Sequence, residues 1–331
     1  ITLFLNTSVD GVVMDGDRIA AVKAWNSNAY TRYVIRGRLF ADCTGDGNLG
    51  YLVGAEFRTG REQRSATRET LAPDIPDNLV LGATISWSTS VREQEVPFPV
   101  LDWAIQLTED SCEKVYSGCN WWEGGFYHDQ VGEAEYIRDY MFRAIYGNWS
   151  FLKNKSRDKA NYARRALDNM TYIAAKRESR RLVGDVFFVQ QDIENGGSRF
   201  DDALIIGTYS IDQHFPSPKN SYYFPGEEFI STMRHYFNDL GVERMYLRDD
   251  QVNPPYRMPY RCLYSANIKN MFMAGRNASV SHIALSSTRI ANMCGLMGEA
   301  VGRAASICTK YGCTPREVYT DHLEELLNSF K

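Results

Sequence analysis

Met271-Phe272-Met273-Ala274-Gly275-Arg276-Asn277, followed by Ser286-Ser287-Thr288 and a regular pattern to Ala305, is the stretch on which the reading of the fold turns. A short apolar run closed by glycine predicts a buried strand and a sharp turn, and the hydroxyl-rich segment after it predicts the start of a helix. Ser287 or Thr288 is the expected cap, because Ile290, Met293, Cys294, Met297, Val301, Ala304 and Ala305 then fall on one helical stripe. The other face carries Gly295, Gly298, Ala300 and Gly302, small enough for another element or a flat ligand to approach the backbone. Two uses fit this unit. Either the glycine turn and helix start hold an anion or polarised oxygen as a cofactor site, or the helix is a packing element with a glycine-lined face.

Working outward, Leu39-Phe40-Ala41-Asp42-Cys43-Thr44-Gly45-Asp46-Gly47 repeats the logic of an apolar strand followed by a glycine turn. Ligands of open α/β sheets sit beyond such strand ends, so the two turns are expected to meet there. Before them, Thr2–Leu5, Val9–Met14, Ile19–Trp25 and Tyr33–Phe40 alternate apolar and polar residues, with Asp15-Gly16-Asp17 as a hairpin turn. This predicts an antiparallel meander.

From Arg64 to Asn253 the pattern changes. A strand is expected near Val80–Ser88, an aromatic-rich loop at Asn120–His128, helices near Glu133–Tyr146 and Arg157–Glu178, and a loop at Lys219–Pro225. Trp121, Trp122, Phe126, Tyr127 and Trp149 can line a binding face or pack a helical core. Pro254-Pro255 marks the expected return to the first domain. The predicted organisation is 1–63 and 254–310 as one cofactor-type domain, 64–253 as an inserted substrate or cap domain, and 311–331 as a helical tail.

Composition narrows the function classes. A chain of 331 residues, 44% hydrophobic and 24% charged, can bury a core, and a net charge of −4 argues against a general nucleic-acid binder. The basic run from Lys153 to Arg165 includes Asp158 and reads as a solvated helix face. No apolar run approaches the roughly 18 residues of a membrane-spanning helix. Seven cysteines are too few for a disulfide framework, and the odd count slightly favours a reduced, cytoplasmic compartment over the periplasm. Cys308 and Cys313 have four residues between them, with no histidine at zinc-finger spacing, so no metal site is expected.

Ala41-Asp42-Cys43-Thr44-Gly45-Asp46-Gly47, Arg177-Glu178-Ser179-Arg180, Tyr209-Ser210-Ile211-Asp212-Gln213-His214, Pro259-Tyr260-Arg261 and Ala274-Gly275-Arg276-Asn277 with Ser281-His282 occur in an order and spacing that resemble a bacterial family of FAD-dependent oxidoreductases. The resemblance is strongest after residue 250. It implies an α/β (α+β) fold: a partial Rossmann-like FAD/NAD(P)-binding domain with an antiparallel β-meander and an inserted cap. Members open with a strand, a G-x-G-x-x-G turn and a helix that hold the ADP half of FAD. No such fingerprint follows any strand here, so the chain reads as lacking that segment.

The resemblance implies FAD as cofactor and a small organic or carbohydrate-derived substrate. Thr44, Gly45, Asp46, Gly47, Gly275, Arg276 and Asn277 would lie along the dinucleotide, and the helix start at Ser287 and Thr288 would face the flavin with its positive dipole end. His282, expected in the loop before that helix, is a candidate proton shuttle or substrate ligand, with backbone support of the loop as its plain alternative. Arg177, Glu178 and Arg180 can present a guanidinium to the substrate or form a helix-end ion-pair network. Asp212 and His214, two apart on an extended segment, would share a side as a carboxylate–imidazole pair. Tyr260 and Arg261 would line the same pocket. A cofactor-free carbohydrate- or protein-binding module is the rival reading, and a polysaccharide lyase using His214, Tyr260 and Arg261 is a third.

Overall fold

The computed structural model describes residues 1–118, 122–216 and 255–331, which divide between two compact units. Among the described residues, the first gathers 1–78, 179–212 and 255–331, and the second gathers 79–118, 122–178 and 213–216. Of the stretch 64–253 read as a cap, 64–78 and 179–212 therefore cluster with the first unit. Trp121 and the loop at 219–225 lie outside the described residues, as does Pro254.

The first unit opens with a meander of β1 (Thr7–Asp15), β2 (Arg18–Asn26) and β3 (Thr31–Arg36), antiparallel throughout. Gly16, with φ 58°, closes the β1–β2 turn at Asp15-Gly16-Asp17. Thr2–Leu5 forms no strand, because Asn6 adopts a left-handed φ of 51° and turns the chain before pairing begins. Then come β4 (Phe40–Asp42), α1 (Asn48–Leu52), β5 (Phe57–Arg58) and α2 (Arg64–Thr67).

The second unit begins with β6 (Ala83–Thr84), β7 (Trp87–Val91) and β8 (Glu123–Gly124), followed by the long α3 (Ala134–Asn154), α4 (Lys159–Tyr162) and β9 (Arg165–Met170). The helix expected over Arg157–Glu178 is replaced by one short turn and a strand. Lys153 Nζ donates to the carbonyls of Tyr162, Ala163 and Arg165, ending helical continuity, and β9 then pairs antiparallel with β7. Desolvation holds the Lys153 ammonium below its usual pKa, so this member of the basic run is an internal clamp. Trp122, Phe126 and Trp149 are fully buried; Trp122 and Trp149 pack with Trp87, Ile137, Met141 and Tyr162, while Tyr127 is exposed. Trp87, Trp122 and Trp149 thus build a core, while Trp103 is exposed.

Returning to the first unit, the chain forms β10 (Arg181–Leu182), α5 (Gln190–Glu194), β11 (Ala203–Gly207) and β12 (Tyr256–Pro259), then β13 (Met271–Met273). β10 pairs with β5, β11 with β12, and β13 lies parallel to β4 with Met271, Phe272 and Met273 opposite Phe40, Ala41 and Asp42. Ile19, Val22, Leu49, Leu182, Met271 and Met273 form the apolar centre beneath this parallel pair. Three helices follow: α6 (His282–Thr288), α7 (Ala291–Tyr311) and α8 (Pro315–Asn328). A capping box, in which Thr314 Oγ1 accepts from Glu317 N and Glu317 accepts from Thr314 N, sets the start of α8.

Candidate functional site

The parallel pairing of β4 and β13 sets their two glycine turns side by side. Ala274 N–H donates to Asp42 O at 3.0 Å, and Asn277 Nδ2 donates to the same carbonyl at 3.1 Å. The buried Asp42 carboxylate organises the first turn by accepting from Thr44 N, Thr44 Oγ1 and Gly50 N at 2.7–3.0 Å. Gly45 and Gly275 have φ of 74° and 107°, and a Cβ at Gly45 would stand 2.8 Å from Arg276 Nη2. Glycine is required there both for backbone conformation and for space. Arg276 Nη2 donates to Asp46 Oδ1 at 3.2 Å, and Ser179 Oγ donates to the same oxygen at 2.8 Å. Arg276 Nη1 and Asn277 Oδ1, both buried, have no hydrogen-bond partner among the described residues.

The helical segment after β13 departs from the sequence expectation. Ser281, not Ser287 or Thr288, is the cap: its Oγ accepts from Ala284 N at 3.0 Å and starts α6. Ser286, Ser287 and Thr288 occupy the last turn of α6, fully buried, and α7 begins only after Ile290, whose side chain cannot cap it. The hydroxyls are drawn inward by distant partners. Ser286 Oγ accepts from Asp212 N, while Ser287 Oγ donates to Tyr209 O and contacts Tyr256 Oη at 2.7 Å. The predicted stripe of α7 is otherwise present, with Met293, Met297, Val301 and Ala304 buried. Gly295, Gly298 and Gly302 face outward, where a Cβ would meet nothing within 4 Å, whereas Ala300 is buried.

His282 is the first residue of α6 rather than part of a loop. It is fully buried, and its backbone N–H donates to Glu62 Oε2 at 3.0 Å. Beside it Arg181, also fully buried, pairs with Glu62 Oε1 at 2.7 Å and donates to the carbonyls of Val280 and Gly60. Glu69 accepts from Gln190 N at 2.8 Å and from Ser281 Oγ, while its Oε2 is buried without a partner among the described residues. Desolvation outweighs these hydrogen bonds and raises the Glu69 pKa above the ordinary carboxylate value. Because the folded form keeps its proton where the unfolded chain has lost it, stability falls as pH rises from the unfolded pKa through the folded one. Replacing Glu69 with Gln is expected to flatten this dependence, checked by urea midpoints across pH; an unaltered slope would refute the assignment.

In the second unit, Arg177 and Glu178 separate in role. Arg177 Nη2 pairs with Glu123 Oε1 at 2.8 Å, and Nη1 donates to Gly82 O at 2.8 Å and to Thr84 Oγ1. Glu178 Oε2 accepts from Leu81 N at 2.8 Å. His214 Nδ1 lies 2.7 Å from Glu123 Oε2, so one buried carboxylate bridges an imidazole and a guanidinium. Asp212 Oδ2 binds Arg289 Nη2 at 2.9 Å. Glu123 was not anticipated, and its only sequence signal is a charge amid aromatic residues.

Arg180 and Arg261 belong to the first unit. Arg180 lies over the Tyr51 ring at 4.2 Å and donates to Asn48 Oδ1, bracing the start of α1. Arg261 grips Asp202 through Nε at 3.0 Å and Nη2 at 2.7 Å, and its hydrogen-bonded carboxylate partner raises its pKa. Tyr260 Oη donates to Pro315 O at 2.8 Å.

Residues 1–327 match the model of the family described as FAD dependent oxidoreductase. The chain belongs to that family. No curated protein and no solved structure matches it. The alternatives of a cofactor-free binding module and a lyase find no support in this match. Membership implies FAD as cofactor, a small-molecule substrate and a Rossmann-like component in the mixed helix and sheet architecture. The donor set at the paired turns is compatible with such a group: two positive-φ glycines expose backbone, and a buried guanidinium nitrogen retains hydrogen-bonding capacity. Among the described residues no helix is long and apolar enough to cross a membrane, and no cluster of three or more His, Cys, Asp or Glu could hold a metal ion.

Proposed function

We propose that this chain of the FAD-dependent oxidoreductase family handles a small organic or carbohydrate-derived substrate, holding FAD along the β4 and β13 turns. The observation that carries the cofactor half is the buried Arg276 Nη1, left without a partner among the described residues beside Gly45 and Gly275. Thr44, Gly45, Asp46, Gly47, Gly275, Arg276 and Asn277 would hold the pyrophosphate and ribityl portion. The role first assigned to Ser287 and Thr288 passes to the start of α7, where the amides after Ile290 lack a side-chain cap. The N-terminus of this 21-residue helix suits a polarised oxygen of the flavin ring.

FAD, when bound, supplies the hydride or two-electron step. The chain must position substrate and move a proton. His214 is the group proposed for that proton, its Nδ1 held 2.7 Å from the Glu123 carboxylate that also pairs with Arg177. We place this role on His214 rather than His282, whose surroundings in the first unit are the Glu62 and Arg181 pair. The buried Trp122, Phe126 and Trp149 give no aromatic face for a sugar-binding module.

Arg276→Ala tests the cofactor half. Losing a charge-assisted hydrogen bond of about 1.5–3 kcal/mol is expected to weaken flavin retention roughly 10- to 100-fold, read from flavin absorbance after desalting of the full polypeptide. Gly298→Leu is the companion variant, which adds bulk at an outward-facing position of α7 where a Cβ meets nothing within 4 Å among the described residues, so lost flavin there would report blocked approach to the helix. Unchanged occupancy in both would overturn the site.

A further inference from the structure

The C-terminal end of α7 carries a feature that flavin chemistry does not use. Gly312, at φ 70°, terminates the helix, and Gly312 N and Cys313 N both donate to Cys308 O, the latter at 3.2 Å. This is a Schellman ending, whose six-residue closure brings the side chains on either side of the glycine turn into contact. Such a contact is ordinarily apolar. Here both positions are cysteines, and both line one cavity. Cys308 is buried and Cys313 half-buried.

Both thiols line a cavity of about 210 Å³ whose wall includes Asp15, Arg18, Arg38 and Asn270. Two exposed guanidiniums, Arg18 at the start of β2 and Arg38 in the β3–β4 connection, thus stand in its wall with the Asp15 carboxylate, and Glu317 of α8 faces both Arg18 and Cys313. We propose that this cavity is a thiol–disulfide exchange site, in which Cys313 and Cys308 are oxidised to an intramolecular disulfide by a low-molecular-weight anionic disulfide.

The more accessible Cys313 thiolate attacks one sulfur of the small disulfide, forming a mixed disulfide and expelling the first small thiolate. Cys308 then attacks Cys313 sulfur, forming the Cys308–Cys313 bond and expelling the second. The two protein thiols are oxidised, their two protons pass to the departing thiolates, and the small disulfide is reduced to two thiols. Burial, reinforced by Cys313, pushes the Cys308 pKa up to about 12, while Cys308 partly offsets the burial that raises Cys313. That asymmetry matches Cys313 as attacking group and Cys308 as resolving group. The bond would staple the end of α7 to the turn that begins α8.

The full polypeptide is incubated with oxidised glutathione and mapped by non-reducing peptide mass spectrometry. The expected result is loss of two of the seven thiols, a disulfide between Cys308 and Cys313, and no retained glutathione. Cys308→Ser should instead trap glutathione on Cys313, and Cys313→Ser should abolish the reaction at this end of α7. Glutathione persisting on the unmodified chain, a bond to any other cysteine, or two unreacted thiols would overturn the proposal. If Cys308→Ser fails to fold by circular dichroism, the map of the unmodified chain decides. Replacing Arg18 and Arg38 with Ala is expected to slow exchange with oxidised glutathione about tenfold relative to neutral hydroxyethyl disulfide. An unchanged ratio would refute the anionic preference.

Discussion

Arg181→Met is expected to destabilise the first unit by about 3–5 kcal/mol, the cost of stranding a buried carboxylate. Arg181 side chain is 0% exposed and Glu62 side chain 8% exposed, so water does little to screen the pair or to solvate Glu62 once the guanidinium is gone. The same change removes donors from the carbonyls of Gly60 and Val280. Gly60 has a left-handed φ of 72°, and a Cβ added there would stand 2.1 Å from Asp77 O, so this close backbone approach admits only glycine. The readout is the urea midpoint of the transition reported by the first unit. Adding Glu62→Leu should recover much of the loss, since an apolar pair of similar volume no longer buries a lone charge. A single variant as stable as the parent, or a double variant no better than the single, would show that the pair does not carry this part of the fold.

His214→Asn is expected to lower the rate of substrate-driven flavin reduction by about 10²–10⁴, the usual contribution of a positioned acid or base. Flavin retention should be untouched, because His214 is not among the residues proposed to hold FAD. Glu123→Gln keeps the shape of the buried residue but removes the charge shared by His214 and Arg177. It should lower the reduction rate as His214→Asn does, since the imidazole loses the carboxylate that orients it. A structural role alone would lower stability and leave the reduction rate per bound flavin in place. Full reduction rates in His214→Asn, accompanied by loss in His282→Gln, would move the proton-transfer role to the first unit.

Local chemistry made much of the first unit legible. Asp15-Gly16-Asp17 reads as a hairpin because only a glycine-bearing turn reverses two alternating strands so tightly, and the structure pairs Asp15 with Arg18 across it. The apolar runs before Gly45 and Gly275 read as strands meeting at their ends, and β4 and β13 do pair in parallel. The stripe of α7 was visible because its period is intrinsic to the helix.

Partners distant in the chain decided the rest. Ser286, Ser287 and Thr288 look like a helix start by residue type, yet Asp212, Tyr209 and Tyr256 occupy two of the hydroxyls and the segment closes α6 instead. Arg165–Met170 has enough helix-forming residues to prolong α4, but pairing with β7 outweighs that weak preference. His214 meets Glu123, 91 residues earlier in the chain, a pairing invisible to spacing because it is made by packing.

By itself, the sequence determined the family, the meander and the paired strand–glycine turns, since these rest on motif order, side-chain periodicity and the conformational freedom of glycine. Only the tertiary structure decided which buried charges meet. Burying a carboxylate or guanidinium is costly without a partner, and the fold satisfies that cost with whichever complementary group it brings near, however far away along the chain.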